Sequence, residues 1–155
     1  MRRLLGVPLL FYRGRLAERV GGRFLVLTTT GRRSGRRRRC GLNYARDGQT
    51  VYVASGFGRT EWYRNLLVDA HVEVRIGAAR WPAEARAVTL PSERRHALDL
   101  LHETARHQGP PAAVRPLMRL AGFDYEASVR QLRGPAPEIL VVALRPGGRE
   151  RSLAA

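Results

Sequence analysis

Apolar residues fall into about six short stretches along the chain, too short for long helices and bounded by glycine, proline or charged turns. FLVLTTT (24–30) is apolar and β-branched, which predicts a buried strand. The GRRSG turn leads to a second strand over roughly 36–46, and ARDGQ reads as a hairpin because Asp-Gly tolerates positive φ. TVYVAS (50–55) is the third strand. HVEVRI (71–76) and RWPAEARAV (80–88) alternate cleanly. The first sets Val72, Val74 and Ile76 on one face, and the second Trp81, Ala83, Ala85 and Ala87, with Gly77 and the next two alanines as a tight turn. EILVVALRP (138–146) supplies the last strand.

Helical spacing appears between these stretches. After SGFG, Thr60 is a suitable N-cap for EWYRNLLV, where Trp62 and Leu66, then Tyr63 and Leu67, are four apart. Ser92 is expected to cap a helix running to about His107, with Ala97, Leu98, Leu101 and Ala105 as its buried stripe and GPP as its stop. A further helical stretch is expected over roughly 112–132, interrupted near Gly122. Residues 1–20 read as a short helical lead-in broken by Pro8 and Gly14, with a membrane-surface helix as the alternative, and 147–155 as a frayed tail. Hairpins first and a returning strand last predict one α+β domain over 1–155, mainly β: a small antiparallel barrel of about six strands with helical insertions.

Charge changes this picture. The chain has 155 residues and a formal net charge of +15, and every basic side chain is arginine. Arginine codons are GC-rich, so part of the bias is mutational. The rest makes a polyanionic partner plausible. Without lysine there is no phosphate-loop lysine, Schiff base or pyridoxal phosphate linkage. Cys40 is the only cysteine, which excludes an internal disulfide and a cysteine-rich metal site. No apolar run approaches the roughly 20 residues of a membrane-spanning helix, and the N-terminus lacks a signal-peptide cleavage pattern, so the expected location is cytoplasmic.

Most familiar catalytic patterns are missing. HETARH has its histidines five apart, and two helical metal ligands must be four apart to share a face. His96, His102 and His107 therefore read as surface residues, His71 as the start of a strand, and no metal site is expected. There is no nucleophile elbow, no acidic pair for glycoside hydrolysis and no dinucleotide fingerprint. The exception is GRRSGRRRR, with six arginines between Arg32 and Arg39. A Gly-x-x-x-Gly turn lets backbone N–H groups approach an anion, and guanidiniums grip phosphate in pairs of hydrogen bonds. A solvated charge run or a nucleic-acid patch is the competing reading.

LTTTGRRSGRRRR, ASGFG, WYRNLLVDAHVEV and VVALRP together resemble the deazaflavin-dependent nitroreductase family of actinobacteria, over about residues 20–146. The resemblance implies a split β-barrel, a homodimer, and coenzyme F420, a deazaflavin with a phosphodiester and a glutamate tail. It further implies hydride transfer between the reduced deazaflavin and an electron-poor small-molecule acceptor such as a quinone, an enone or a nitro compound. Arg32, Arg33, Ser34, Gly35 and Arg38 fall where family members grip the phosphate and tail. Trp62 and Asn65 fall where members line the deazaflavin, with Ala54, Ser55 and Gly56 before them. The family often has Lys at the position of Arg33 and Pro near that of Gly41, at the ring edge. The catalytic residue is left open, with Tyr125 the only candidate. The alternatives are FMN or haem on the same barrel, since a fold does not fix its cofactor, or a non-catalytic nucleic-acid-binding protein, which the lack of a recognisable binding module disfavours.

Overall fold

The computed structural model describes residues 24–55, 60–108, 116 and 139–147. In chain order the elements are β1 (Leu25–Thr30), β2 (Arg37–Leu42), β3 (Tyr44–Asp47), β4 (Thr50–Ser55), α1 (Glu61–Val68), β5 (His71–Ile76), β6 (Ala79–Ala87), α2 (Pro91–Gln108) and β7 (Leu140–Pro146). The strands form one sheet in the order β2-β1-β5-β6-β7-β4-β3, and every pairing is antiparallel.

That order requires curvature. β2 and β3 lie at opposite edges of the sheet, yet only Asn43 separates them in the chain. A flat sheet cannot join its two edges through one residue, so the sheet must curl until the edges meet. A contact between strands that are not neighbours in the sheet fits the same closure: the Arg46 guanidinium of β3 sits 5.7 Å from the ring centre of Trp81 on β6. The expected second strand is thus two strands, a bent segment that changes partner from β1 to β4 at Asn43. The sheet gains a seventh strand and is the expected split barrel with helical insertions.

Alternation sorts the residues between the two faces. Inward-facing Leu25, Leu27, Val51, Val53, Val72, Val74, Val142 and Leu144 form one apolar core, closed at one end by Tyr63 and Leu66 of α1. Leu27, Val53, Val74 and Val142 are fully buried, and each such side chain contributes about 1.5–3 kcal/mol relative to exposure. The outer faces of β3, β4 and β7 carry Ala45, Tyr52, Val141 and Ala143, on which α2 lays Ala97, Leu98 and Leu101. The expected stripe of α2 is buried, Ala105 included. His102 is buried with it at 8% exposure, against the expectation of a surface histidine: it stands four residues after Leu98 and so continues the packed face.

The turns follow their glycines. Gly48 and Gly77 take φ of +57° and +59° at the first position of two-residue hairpin loops, the place that a type II′ turn reserves for glycine. α2 begins at Pro91, one residue before the expected cap, because proline suits the first helical position. Thr60 does precede α1, but its hydroxyl makes no capping bond and instead meets Ser55 Oγ at 3.2 Å. The lead-in over 1–20, the helical stretch over 112–132 and the tail beyond Gly147 lie outside the described residues, apart from Pro116.

Candidate functional site

The basic turn is a built structure. The Gly31 N–H donates to the Arg36 carbonyl at 2.8 Å, and the Gly35 N–H to the Gly31 carbonyl at 2.8 Å. Ser34 Oγ accepts from the Arg36 N–H at 3.3 Å, bracing the loop from within. Glycine is favoured at both positions. A Cβ on Gly31 would lie 2.9 Å from Ser34 Oγ and 3.1 Å from the Arg36 carbonyl oxygen. Gly35 has a φ of +64°, which side chains other than glycine adopt at a cost.

One arginine of the run is consumed by this architecture. Arg32 Nη1 donates to Glu61 Oε2 at 2.7 Å and to Asn65 Oδ1 at 3.2 Å, and its backbone N–H donates to the same Asn65 oxygen at 3.2 Å. Asn65 is 5% exposed, and its Nδ2 donates to Thr29 Oγ1 at 3.2 Å. The hydrogen bond from Arg32, with the nearby charges of Arg64 and Arg33, holds the Glu61 carboxyl below its usual range. Arg33, Arg36, Arg38 and Arg39 are exposed and form no ion pair with any described residue.

The β1–β2 register decides where the strand arginines point. Arg38 pairs with Thr29 and shares the inward face with Cys40, while Arg37 and Arg39 pair with Thr30 and Thr28 on the other face. Arg37 is engaged there by Glu73 at 2.9 Å, a carboxylate that Arg80 also approaches at 3.5 Å. The side-chain stem of Arg38 passes 3.6 Å from the site of a Gly31 Cβ, so it lies along the turn.

The structure therefore joins Arg32, Arg33, Ser34, Gly35, Arg38 and Asn65 around one end of the barrel. Trp62 stands beside them on α1, half-buried against the core and edge-on to Tyr63 with ring centres 6.1 Å apart. Ser55 ends β4 nearby, 2% exposed and bonded to Thr60. Ala54 and Gly41 are not brought in by their side-chain positions. Ala54 packs on the outer cluster under α2, and Gly41 pairs with Val26 on the face opposite Arg38. Gly56 and Tyr125 lie outside the described residues. Cys40 lies on the inward face, and burial pushes its thiol up to about 12, far from a reactive thiolate. No cluster of metal-ligating side chains occurs among the described residues. Glu61, Arg36 and Thr29 were not anticipated, and the one available signal was an acidic residue in the first turn of a helix near an arginine run.

A family model described as F420H(2)-dependent quinone reductase matches residues 11–110. The chain belongs to this family. An F420H(2)-dependent quinone reductase of Mycobacterium tuberculosis is 33% identical over 102 residues, spanning 57% of this chain and 68% of that protein. Among solved structures, a haem storage protein of Vibrio cholerae superposes with a TM-score of 0.51 at 14% identity, covering 84% of this chain and 86% of that one. A structure described as a domain-swapped dimer superposes with a TM-score of 0.52 at 22% identity, covering 79% and 80%. At these identities the superpositions show the fold alone. The family assignment carries the rest of the expectation: this reductase-family chain is an oxidoreductase whose cofactor is F420.

Proposed function

We propose that the protein transfers a hydride from F420H2 to a quinone, and that the turn over 31–36 with the start of β2 holds the cofactor's acidic tail. The observation that carries the reading is the set of exposed guanidiniums, Arg33, Arg36 and Arg38, beside a closed glycine turn and free of ion pairs to described residues. That donor set fits an extended tail of phosphate and carboxylates, since each guanidinium offers a planar fork to one acidic group.

Bound F420H2 supplies the hydride and so carries the hard chemistry. The chain's own residues bind and orient. Arg33 and Arg38 hold the tail, and Arg36 adds a third cation. Ser34 and Gly35 fix the turn's shape. Trp62 offers a half-buried face beside this cluster on which a planar ring can rest, and Tyr63 and Leu66 beneath it exclude water from that side. Ser55 and the adjoining Ala54, at the end of β4, offer their backbone to the ring. Because the acceptor takes a hydride from the cofactor directly, no nucleophile or metal is needed from the chain.

Enones and nitro compounds are further electron-poor acceptors for the same site. A homodimer belongs to the proposal as well, supported by the domain-swapped dimer of the same fold and by Leu67 and Val68, which are 54% and 71% exposed at the end of α1. Among the described residues no helix is long and apolar enough to cross a membrane.

The deciding experiment titrates purified protein with F420, FMN and haem at two salt concentrations, then follows F420H2 oxidation by a soluble quinone. F420 should bind most tightly, with an affinity that falls as salt rises. Tighter FMN binding, or no salt dependence, would overturn the tail-gripping site.

A further inference from the structure

Arg32 differs from every other arginine of its run. Its side chain is 17% exposed, and all its described partners belong to α1, some thirty residues along the chain. A single buried amide does two jobs there. Asn65 Oδ1 accepts from both the backbone and the guanidinium of Arg32, and Asn65 Nδ2 reaches back to Thr29 in the strand that leads into the turn. Both ends of the β1-to-turn junction are thus tied to one residue of the helix, and Glu61 closes the remaining side of the guanidinium at 2.7 and 3.5 Å.

We infer that Arg32, Glu61 and Asn65 form a positioning clamp that shapes the 31–36 turn, leaving Arg33, Arg36 and Arg38 as the cations that touch the ligand. The identity of that ligand rests on the proposed function; the clamp does not. An anion reaching for Arg32 must first displace a carboxylate already in place, which exchanges one charge-assisted bond for another and gains little. Arg33, Arg36 and Arg38 have no carboxylate to give up among the described residues. Charge balance points the same way. Glu61 faces Arg32 at 2.7 Å and Arg64 at 3.7 Å, and Asn65, being neutral, adds no second negative charge, so the positive potential on this side of the turn comes from Arg33, Arg36 and Arg38. The clamp also needs arginine in particular: a lysine ammonium has no planar fork to address a carboxylate and an amide oxygen together.

The test compares Arg32→Lys, Glu61→Gln, the double variant, Asn65→Leu and Asn65→Asp by amide hydrogen exchange and by F420 titration. A clamp predicts that exchange across 31–36 accelerates on the order of tenfold in Arg32→Lys, Glu61→Gln and Asn65→Leu, while exchange across the β5–β6 hairpin stays unchanged. F420 binding weakens by a similar factor in each, and the double variant is no worse than either single one. Asn65→Asp restores slow exchange across 31–36, because it keeps the accepting oxygen and the Thr29 hydroxyl can turn to donate, while its added negative charge weakens F420 binding. Direct ligand contact by Arg32 predicts the opposite pattern. Glu61→Gln would then tighten binding by removing a competitor, Arg32→Lys would weaken binding without speeding exchange across 31–36, and effects would add. That result overturns the inference. Should Asn65→Leu fail to fold, Glu61→Gln decides the matter, since Glu61 is 74% exposed and its loss leaves the core intact. Should wild-type protein not bind F420, the proposed function falls, while unchanged exchange across 31–36 would still overturn the clamp on its own.

Discussion

Glu61 and Glu93 each stand in the first turn of a helix, and each accepts hydrogen bonds from an arginine outside it. Arg32 meets Glu61 and Asn65 at the head of α1. Arg86 of β6 donates to Glu93 at 2.6 and 3.2 Å, and the Tyr52 hydroxyl of β4 donates to it at 3.2 Å. The parts are alike but the settings differ. Beneath the α2 pair lies an apolar seam of Ala97, Leu98 and Leu101 on a regular sheet, so the polar clamp adds little to a joint that packing already fixes. Beneath the α1 pair lies a turn with two cross-loop backbone bonds and, among the described residues, no part in either apolar cluster, so the clamp sets the turn's shape. Similar ion pairs thus only supplement packing in one place and, in the proposed reading, set ligand geometry in the other.

The largest effect that separates the two regions is Leu101→Ala. Leu101 is 3% exposed under α2, and its truncation should cost about 2–5 kcal/mol by urea denaturation. F420 affinity of the folded variant should not change. A parallel loss of affinity would mean that α2 packing and the basic turn are coupled.

Next comes the pair of faces on β2. Arg38→Ala should weaken F420 binding by about 1.5–3 kcal/mol, roughly 10- to 150-fold. Arg39→Ala on the opposite face should cost almost nothing, and Arg37→Ala should lose only its exposed pair with Glu73. A nucleic-acid patch would instead give a flat profile, each arginine counting about equally. Gly35→Ala is smaller, about 1 kcal/mol, from forcing a side chain to a φ of +64° where nothing else crowds it. It should appear in both stability and affinity, whereas Glu93→Gln should cost no more than about 1 kcal/mol of stability and leave affinity alone.

What the sequence disclosed, and what it hid, follows the reach of each interaction. β5 was read to the residue because alternation is a local signal, β4 because the Asp-Gly hairpin and SGFG bound it, and the Gly48 and Gly77 turns because positive φ is a property of one residue. The opposed faces of Arg38 and its neighbours followed from strand parity alone. The break at Asn43 could not be read: neither glycine nor proline marks it, and it exists because the chain changes partner from one sheet edge to the other. The same holds for Arg32. In the sequence it is one of six similar arginines, and only α1, folded against the turn, singles it out through contacts 29 and 33 residues distant. His102 was legible in principle, being spaced from Leu98 and Ala105 as a core position, but its polar side chain argued against burial.

The smallest expected effect distinguishes the two clamps by pH. Hydrogen bonding from Arg32 lowers the Glu61 carboxyl, and hydrogen bonding from Arg86 lowers that of Glu93, each from an ordinary 4.5. A lowered carboxyl stabilises the folded state fully above its unfolded value, and that contribution disappears as pH falls through the folded value. Both clamps therefore have an acid edge below about pH 4.5. Tyr52 behaves oppositely. Burial first, and then the negative charge of Glu93, raise its hydroxyl above an ordinary 10.0. The contribution of its neutral form is complete below that value and is lost as pH rises through the folded one. Asn65, the corresponding partner in the α1 clamp, does not titrate. Hydrogen exchange corrected for its intrinsic pH dependence should thus rise across 31–36 on the acid side only, and across the first turn of α2 at both extremes. Tyr52→Phe should remove the alkaline edge at α2 and leave every acid edge in place; an alkaline edge that survives it would show that some other group, and not the Tyr52–Glu93 bond, sets it.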